Sequence, residues 1–150
     1  MVRPIVKDKF LLSQKSAPAD KNDLQTAQDM VETIAAHAEE CVGMAANMIG
    51  VLKRIIVFQD LNRYIVMINP VIKWASPETY ETNEGCLCHE GAKNVTRHEE
   101  IDVEFLDMRM KKCRVKYSGI TAEIIQHEMD HLVRSAFLTA GIKISSSTSE

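Results

Sequence analysis

Several features are missing from this sequence, and each absence argues against one class of function or location. No stretch is long and apolar enough to cross a bilayer, and the opening residues 1–8 lack the apolar run of a signal peptide. The net charge is −3, and the lysines and arginines are scattered, so there is no basic field for nucleic acid. We therefore expect a cytoplasmic protein whose partners include neither membrane nor nucleic acid.

The chain is short, and it contains few cysteines. With 150 residues and 45% hydrophobic content, we expect one domain spanning residues 1–150, with a Ser-rich disordered tail at about 145–150. The four cysteines could form two disulfides, but in a reducing compartment thiols more often act as ligands, core residues or reactive groups. They are Cys41, Cys86, Cys88 and Cys113.

A His-Glu-x-x-His pattern lies near the carboxyl end, at residues 127–131. Residues four apart share one helical face, so His127 and His131 can offer two imidazole nitrogens to one metal ion. Glu128 follows the first ligand directly, which places a carboxylate beside a water that the metal activates, as a general base requires. The pattern predicts a metal-dependent hydrolase.

The third metal ligand has to come from upstream. A metzincin needs Gly at position 134 and His at position 137, but the chain has Arg134 and Phe137. A thermolysin-like site needs a later Glu, and the only acidic residue after His131 is at the chain end. Gly85 permits a sharp turn before Cys86, whose thiolate suits Zn or Fe, so Cys86 is the preferred ligand. Cys88 and His89 remain rivals.

The hydrophobic pattern predicts an α+β fold. Apolar residues at helical spacing predict an amphipathic helix from about Asn22 to Glu40, and later residues alternate as in short antiparallel strands. The expected strands include 54–58, 64–68, 101–105 and 113–117, with turn signals at Asn69-Pro70 and Ser76-Pro77. The charges of the last two strands are opposite in sign, which suits cross-strand pairing. We expect these short sheets to pack around the central metal-site helix.

Three motifs together give the chain a resemblance to the peptide deformylases. That family has Gly-x-Gly-x-Ala-Ala-x-Gln, then Glu-Gly-Cys-x-Ser, then Gln-His-Glu-x-Asp-His-Leu. Here the corresponding segments are Cys41–Met48, Glu84–Cys88 and Gln126–Leu132. The resemblance covers nearly the whole chain, and the third motif with Glu-Gly-Cys upstream is highly specific.

The resemblance implies a site and a reaction. The implied metal ligands are Cys86, His127 and His131, with Fe(II) as the native ion, often replaced by Zn or Ni. Glu128 is the implied acid–base, and the backbone N–H of Leu87 is the implied oxyanion donor. The implied peptide and methionine site is formed by Val42, Gly43, Met44 and Met48. The implied reaction releases formate from N-formylmethionyl nascent peptides near the ribosome, and Glu84 is expected to pair with Arg97.

The chain departs from the family pattern at several positions. Met48 replaces a Gln whose carboxamide donates to the formyl oxygen, and a thioether has no N–H to donate. Asn47 is a weaker candidate for the missing donor. Cys41, Cys88 and Arg134 replace two glycines and a serine of the pattern. Two hypotheses follow: an active, divergent deformylase with a lower rate or an altered substrate preference, or a catalytically weak or inactive paralogue that binds metal and formylated or Met-initiated peptides.

Overall fold

Three α-helices and seven strands make up most of the part of the chain that the structure describes. The computed structural model describes residues 1–87 and 89–133, without the side chains of His89 and Glu90. Cys88, Arg134, Phe137 and the expected tail at 145–150 lie outside the described residues. The helices are α1 (Lys9–Leu12), α2 (Leu24–Ala36) and α3 (Gly119–Asp130), and 3₁₀ turns cover Lys21–Asp23 and Ala46–Ile49. The strands are β1 (Gly43–Ala45), β2 (Ile55–Asp60), β3 (Arg63–Ala75), β4 (Thr79–Cys86), β5 (His89–His98), β6 (Glu100–Leu106) and β7 (Lys112–Ser118).

The strands form two antiparallel sheets, one of five strands in the order β1-β2-β3-β6-β7 and one of two, β4-β5. Because side chains alternate along a strand, β2 supplies both faces of the larger sheet. Ile55 and Val57 join the core that includes residues of α2, whereas Ile56 and Phe58 join the core that includes residues of α3. The expected α+β class with antiparallel sheets is confirmed.

Two of the expected boundaries were wrong. The amphipathic helix ends at Ala36 rather than Glu40, because Ile34 is its last buried residue and Ala38 is exposed. Strand β3 continues through Asn69-Pro70, where a turn was expected. Asn69 has φ of 52°, and its side chain bonds both the N–H and the C=O of Ala19 at 2.8 and 2.9 Å. The pairing of β3 with β6 shifts its register between Ile68 and Val71, so the strand is irregular at this point but is not broken.

The expected charge pairing between β6 and β7 is confirmed. Asp102 lies opposite Lys116 and Glu104 opposite Arg114, and the Arg114 guanidinium donates to Asp102 at 3.0 Å. This pairing fixes the register of the strand that leads directly into α3.

Helix α3 is held by side-chain bonds in its second half and just past its carboxyl end. Gly119 has φ of 63°, so the chain turns sharply from β7 into the helix, although the Ser118 side chain makes no capping bond. Gln126 exchanges two 2.9 Å hydrogen bonds with the backbone of His98 on β5. Asn47 donates to the His131 carbonyl at 2.7 Å just past the helix end. No helix in the described part of the chain is long and apolar enough to span a membrane.

Candidate active site

Helix α3 and the end of β4 bring together one thiol and two imidazoles. One ligand atom each from Cys86, His127 and His131 lies within 4.8 Å of the others, and Cys86 Sγ is 3.4 Å from His131 Nε2. Helix α3 ends at Asp130, so His131 is its C-cap, and its dihedrals remain helical (φ −67°, ψ −17°). The one-turn spacing of the two histidines is therefore preserved. The rival ligands, Cys88 and the His89 side chain, lie outside the described residues.

Buried charges fix the orientation of His127. Its Nδ1 lies 2.7 Å from Glu84 Oε1, which leaves Nε2 available as a ligand atom. Arg97 donates to both Glu84 oxygens, at 2.7 and 3.0 Å, and to Asp130 at 2.8 Å, so the expected pairing of Glu84 with Arg97 is confirmed. Arg97 is only 2% exposed. The chain Asp130–Arg97–Glu84–His127 is thus a buried support for one imidazole.

The same contacts shift the pKa values of Glu84 and His127. Burial opposes ionisation of Glu84, yet its bonds to His127 and Arg97 outweigh burial and lower the pKa of the carboxyl. Burial also opposes charge on His127, but Cys86 and Glu84 raise the pKa of its imidazole well above the ordinary value. A site that attracts a proton so strongly is also suited to a cation, which competes with protons for the same donors.

Glu128 is aimed into this site with an unused oxygen. It is 4% exposed, and its Oε1 has no hydrogen-bond partner among the described residues. Burial raises the pKa of Glu128 to about 7, against the opposing effect of the two histidines. Gly43 makes room for it, because a Cβ at Gly43 would lie 2.8 Å from Glu128 Oε2. A buried carboxyl with a free oxygen and a pKa near neutrality suits proton transfer.

A pocket of about 210 Å³ opens onto these groups. Residues at positions 120, 123, 124, 127 and 128 line it, which is one face of α3 at helical spacing. The opposite walls come from the segment around β1 and from the end of β4. The lining residues are Glu40, Cys41, Val42, Gly43, Met48, Glu84, Gly85, Cys86, Leu87, Ile120, Glu123, Ile124, His127 and Glu128.

The expected substrate residues do not all reach this pocket. Val42, Gly43 and Met48 line it, as does Leu87, whereas the side chain of Met44 belongs to the core that includes residues of α2. Met48 is fully buried, and its sulfur accepts a 3.5 Å bond from the Ala45 N–H. The structure therefore puts a thioether in the wall of the pocket.

Asn47 cannot take over the role of the missing carboxamide. Its Nδ2 donates to the His131 carbonyl, and the residue is fully buried and absent from the pocket lining. Cys41 does line the pocket, but its thiol donates to the Gly43 carbonyl at 2.8 Å, and burial raises its pKa to about 12. Neither side chain presents an unoccupied donor to the site.

Sequence reasoning missed two parts of the site. It did not identify Asp130 as the second partner of Arg97, because that contact joins β5 to α3 across 33 residues. It also missed Ile120, Ile124 and Glu123 as pocket residues. Helical spacing does place the two isoleucines on the face of His127, at positions i−3 and i−7, but that spacing alone does not show that the face lines a pocket.

The donor set fits a divalent transition metal. A thiolate with two imidazoles suits Zn or Fe, while hard ions such as Mg²⁺ prefer oxygen ligands. The unpartnered Oε1 of Glu128 gives the site a base beside the three donors. Together these groups can support metal-assisted hydrolysis of a carbonyl compound.

Comparison with known proteins decides the family. The family model for polypeptide deformylase matches residues 2–142. The chain belongs to the polypeptide deformylase family. A peptide deformylase from Clostridium beijerinckii is 50% identical over 131 residues, which cover 87% of this chain and 96% of the relative. Another from Pelotomaculum thermopropionicum is 44% identical over 115 residues, covering 75% and 72%.

Solved deformylase structures share the fold. The enzyme from Thermotoga maritima matches with a TM-score of 0.82 at 29% identity, over 95% of this chain and 99% of that one. A class I type b deformylase from Acinetobacter baumannii with Met-Ala-Ser bound matches with a TM-score of 0.79 at 30% identity, over 88% and 94%. Peptide deformylases act on N-formylmethionyl peptides, and membership of the family implies a single metal ion.

Proposed function

We propose that this deformylase hydrolyses the formyl amide of N-formylmethionyl peptides at the site formed by Cys86, His127, His131 and Glu128. The observation that carries the proposal is the free, buried Oε1 of Glu128 beside three clustered donor side chains. The product of formyl-Met-Ala-Ser would be Met-Ala-Ser, the peptide bound by the Acinetobacter baumannii neighbour. The pocket would therefore bind formylated peptides and hydrolyse their formyl amide.

Cys86, His127 and His131 would hold one divalent ion, and Fe(II) is the proposed native metal, with Zn or Ni as replacements. Such an ion supplies Lewis acidity, which lowers the pKa of water and polarises a carbonyl. Glu84 holds the His127 ring so that Nε2 is left for the metal. The buried chain Asp130–Arg97–Glu84 holds the His127 ring, so that Nε2 is in place before a substrate binds.

Glu128 transfers the proton in both steps of the reaction. Its Oε1 accepts a proton from the attacking water, whose oxygen forms a bond to the formyl carbon. As the C–N bond breaks, Glu128 returns that proton to the leaving nitrogen. The water oxygen and its remaining hydrogen stay on the formyl carbon as formic acid, which releases that proton to the free amine or to solvent, so the products are formate and a peptide with a free amino terminus.

The oxyanion that forms during attack needs donors. Leu87 lines the pocket next to Cys86, and its backbone N–H is the proposed donor. Met48 lies where the family pattern has Gln, and neither Asn47 nor Cys41 replaces that N–H. We therefore propose a turnover rate below that of deformylases with the Gln.

The substrates would be nascent chains in the cytoplasm, near the ribosome. The alternative, a weak or inactive paralogue that only binds metal and formylated peptides, has no support from the comparisons, whose cited relatives are named peptide deformylases. Retention of Glu128, which binding alone would not require, also favours the enzyme.

The test is formate release from formyl-Met-Ala-Ser by protein loaded anaerobically with Fe(II). The expected result is catalytic release of formate that depends on metal. Metal-replete, folded protein that releases none would contradict the proposed function.

A further inference from the structure

We propose that Asn47 is a positioning residue for the metal ligand His131, and that its amide slows release of the metal ion. The inference rests on the metal ligands of the proposed function, not on the reaction. Asn47 lies fully buried in the 3₁₀ turn Ala46–Ile49, and its Nδ2 donates to the His131 carbonyl at 2.7 Å. This contact acts on the backbone of a ligand residue, whereas Glu84 acts on the ring of His127.

His131 lies at the carboxyl end of α3, where the regular bonds of the helix end. Helix α3 ends at Asp130, and the N–H groups of His131 and Leu132 donate to carbonyls only three residues earlier, at 3.1 and 3.0 Å. The last carbonyls of a helix have no partner within the helix, so its final turn frays unless other groups bind them. The orientation of His131 therefore depends on contacts from outside α3.

Two donors from other segments bind consecutive carbonyls at this helix end. Asn47 Nδ2 donates to the His131 carbonyl, and the Ser16 N–H donates to the Leu132 carbonyl at 3.0 Å. Ser16 is 2% exposed and Leu132 is fully buried. The turn that carries Asn47 is itself held, because the Gly50 N–H donates to the Asn47 carbonyl at 3.0 Å. The end of α3 is thus fixed to two segments that precede β2 in the chain.

Packing alone does not explain an asparagine at this position. Asn47 Oδ1 is buried and has no hydrogen-bond partner among the described residues. Burying an unpaired carbonyl oxygen lowers stability, and an apolar residue of similar size would avoid that loss. The Nδ2 end of the amide must therefore provide the benefit. Its short contact is with the His131 carbonyl, since the Leu12 carbonyl lies 3.5 Å away.

The carbonyl contact affects the metal site through the backbone of His131. The Nε2 of His131 lies 3.4 Å from Cys86 Sγ, so the ring already points toward another donor. Metal–ligand distances vary by only about 0.2 Å, so a small rotation of this residue would break its bond to the ion. Losing an outer contact of a ligating histidine typically lowers metal affinity by about 10- to 100-fold. Because Asn47 contacts the backbone rather than the ring, we expect about 10-fold.

The test compares Asn47→Leu with Thr33→Val, because each removes one buried 2.7 Å hydrogen bond to a backbone carbonyl and nearly keeps the side-chain volume. Thr33 is fully buried on α2, donates to the Asp29 carbonyl and is absent from the pocket lining. Both variants should lower the stability of the metal-free protein in urea. Release of Zn(II) from loaded protein to an excess of chelator should be about 10-fold faster in Asn47→Leu and unchanged in Thr33→Val.

Co(II)-loaded protein gives a second readout, because the visible absorption of Co(II) depends on its ligands and their geometry. The spectrum should change in Asn47→Leu and match the parent in Thr33→Val. Parent-like release and spectrum in Asn47→Leu, or equally faster release in both variants, would overturn the inference. If Asn47→Leu does not fold, Asn47→Ala is judged by the same two readouts. A parent that binds no Zn(II) would instead contradict the ligand set of the proposed function, and this inference with it.

Discussion

Replacing Glu84 by Gln tests the link between the buried ion pairs and metal binding. In the parent, Glu84 Oε1 accepts from His127 Nδ1 and from Arg97 Nη2, both at 2.7 Å, while Oε2 accepts from Arg97 Nε at 3.0 Å. A carboxamide has one acceptor oxygen only. Its best orientation keeps that oxygen in the Oε1 position and turns its NH₂ toward Arg97 Nε, where two donors then face each other.

The size of the effect follows from that geometry. One charge-assisted hydrogen bond is lost, which costs about 1.5–3 kcal/mol of folding free energy. This is below the about 3–5 kcal/mol for breaking a buried pair outright, because Arg97 keeps Asp130 as a partner. The His127 ring also loses the full charge that fixes its orientation, so metal affinity should fall by about 10- to 100-fold.

Two measurements separate these effects. Urea unfolding of the metal-free protein gives the stability loss, and competition with a chelator gives the metal affinity. Glu81→Gln is the matched control, because it removes the same charge from an exposed position of the same strand. An unchanged metal affinity in Glu84→Gln would refute the role of Glu84 in orienting His127, even if the stability falls.

Four further substitutions test other parts of the site. Cys86→Ala should abolish stoichiometric metal binding while Cys88→Ala retains it; the opposite result would identify Cys88 as the ligand. Gly43→Ala places a Cβ 2.8 Å from Glu128 Oε2. The free energy of unfolding should therefore fall by about 1–3 kcal/mol, and turnover should fall by about 100-fold. Values close to those of the parent for both quantities would contradict the close approach. Met48→Gln should raise kcat by up to about 10²–10³-fold, reduced by the difficulty of seating a carboxamide in a buried site; a folded, metal-replete variant with no increase would show that Met48 does not limit turnover.

Local sequence patterns were sufficient for much of the fold. The alternation at 101–105 and 113–117 corresponds to β6 and β7, and their opposite charges pair as expected. The spacing of His127 and His131 requires only a helix, and the structure brings both beside Cys86. Such features depend on neighbours in sequence or on regular periods, so they can be derived without tertiary information.

The parts that could not be derived depend on contacts between distant residues. Asn69 was expected in a turn, but it lies within β3, and its side chain bonds both backbone groups of Ala19, 50 residues away. Asn47 was a candidate donor to the substrate, but its amide donates to the His131 carbonyl instead. In both cases a polar side chain forms a hydrogen bond with a backbone group that is distant in the sequence. The local sequence does not show which backbone group will be the partner.

The most direct test of the central claim measures formate and new amino termini in one reaction. The parent and Glu128→Gln are loaded anaerobically with Fe(II) to equal metal content and given formyl-Met-Ala-Ser. We expect formate and free amine in equal amounts from the parent, and turnover lower by about 10²–10⁴-fold in the variant, because Gln cannot accept the proton. Equal turnover by parent and variant would contradict the claim that Glu128 performs the proton transfers at this site.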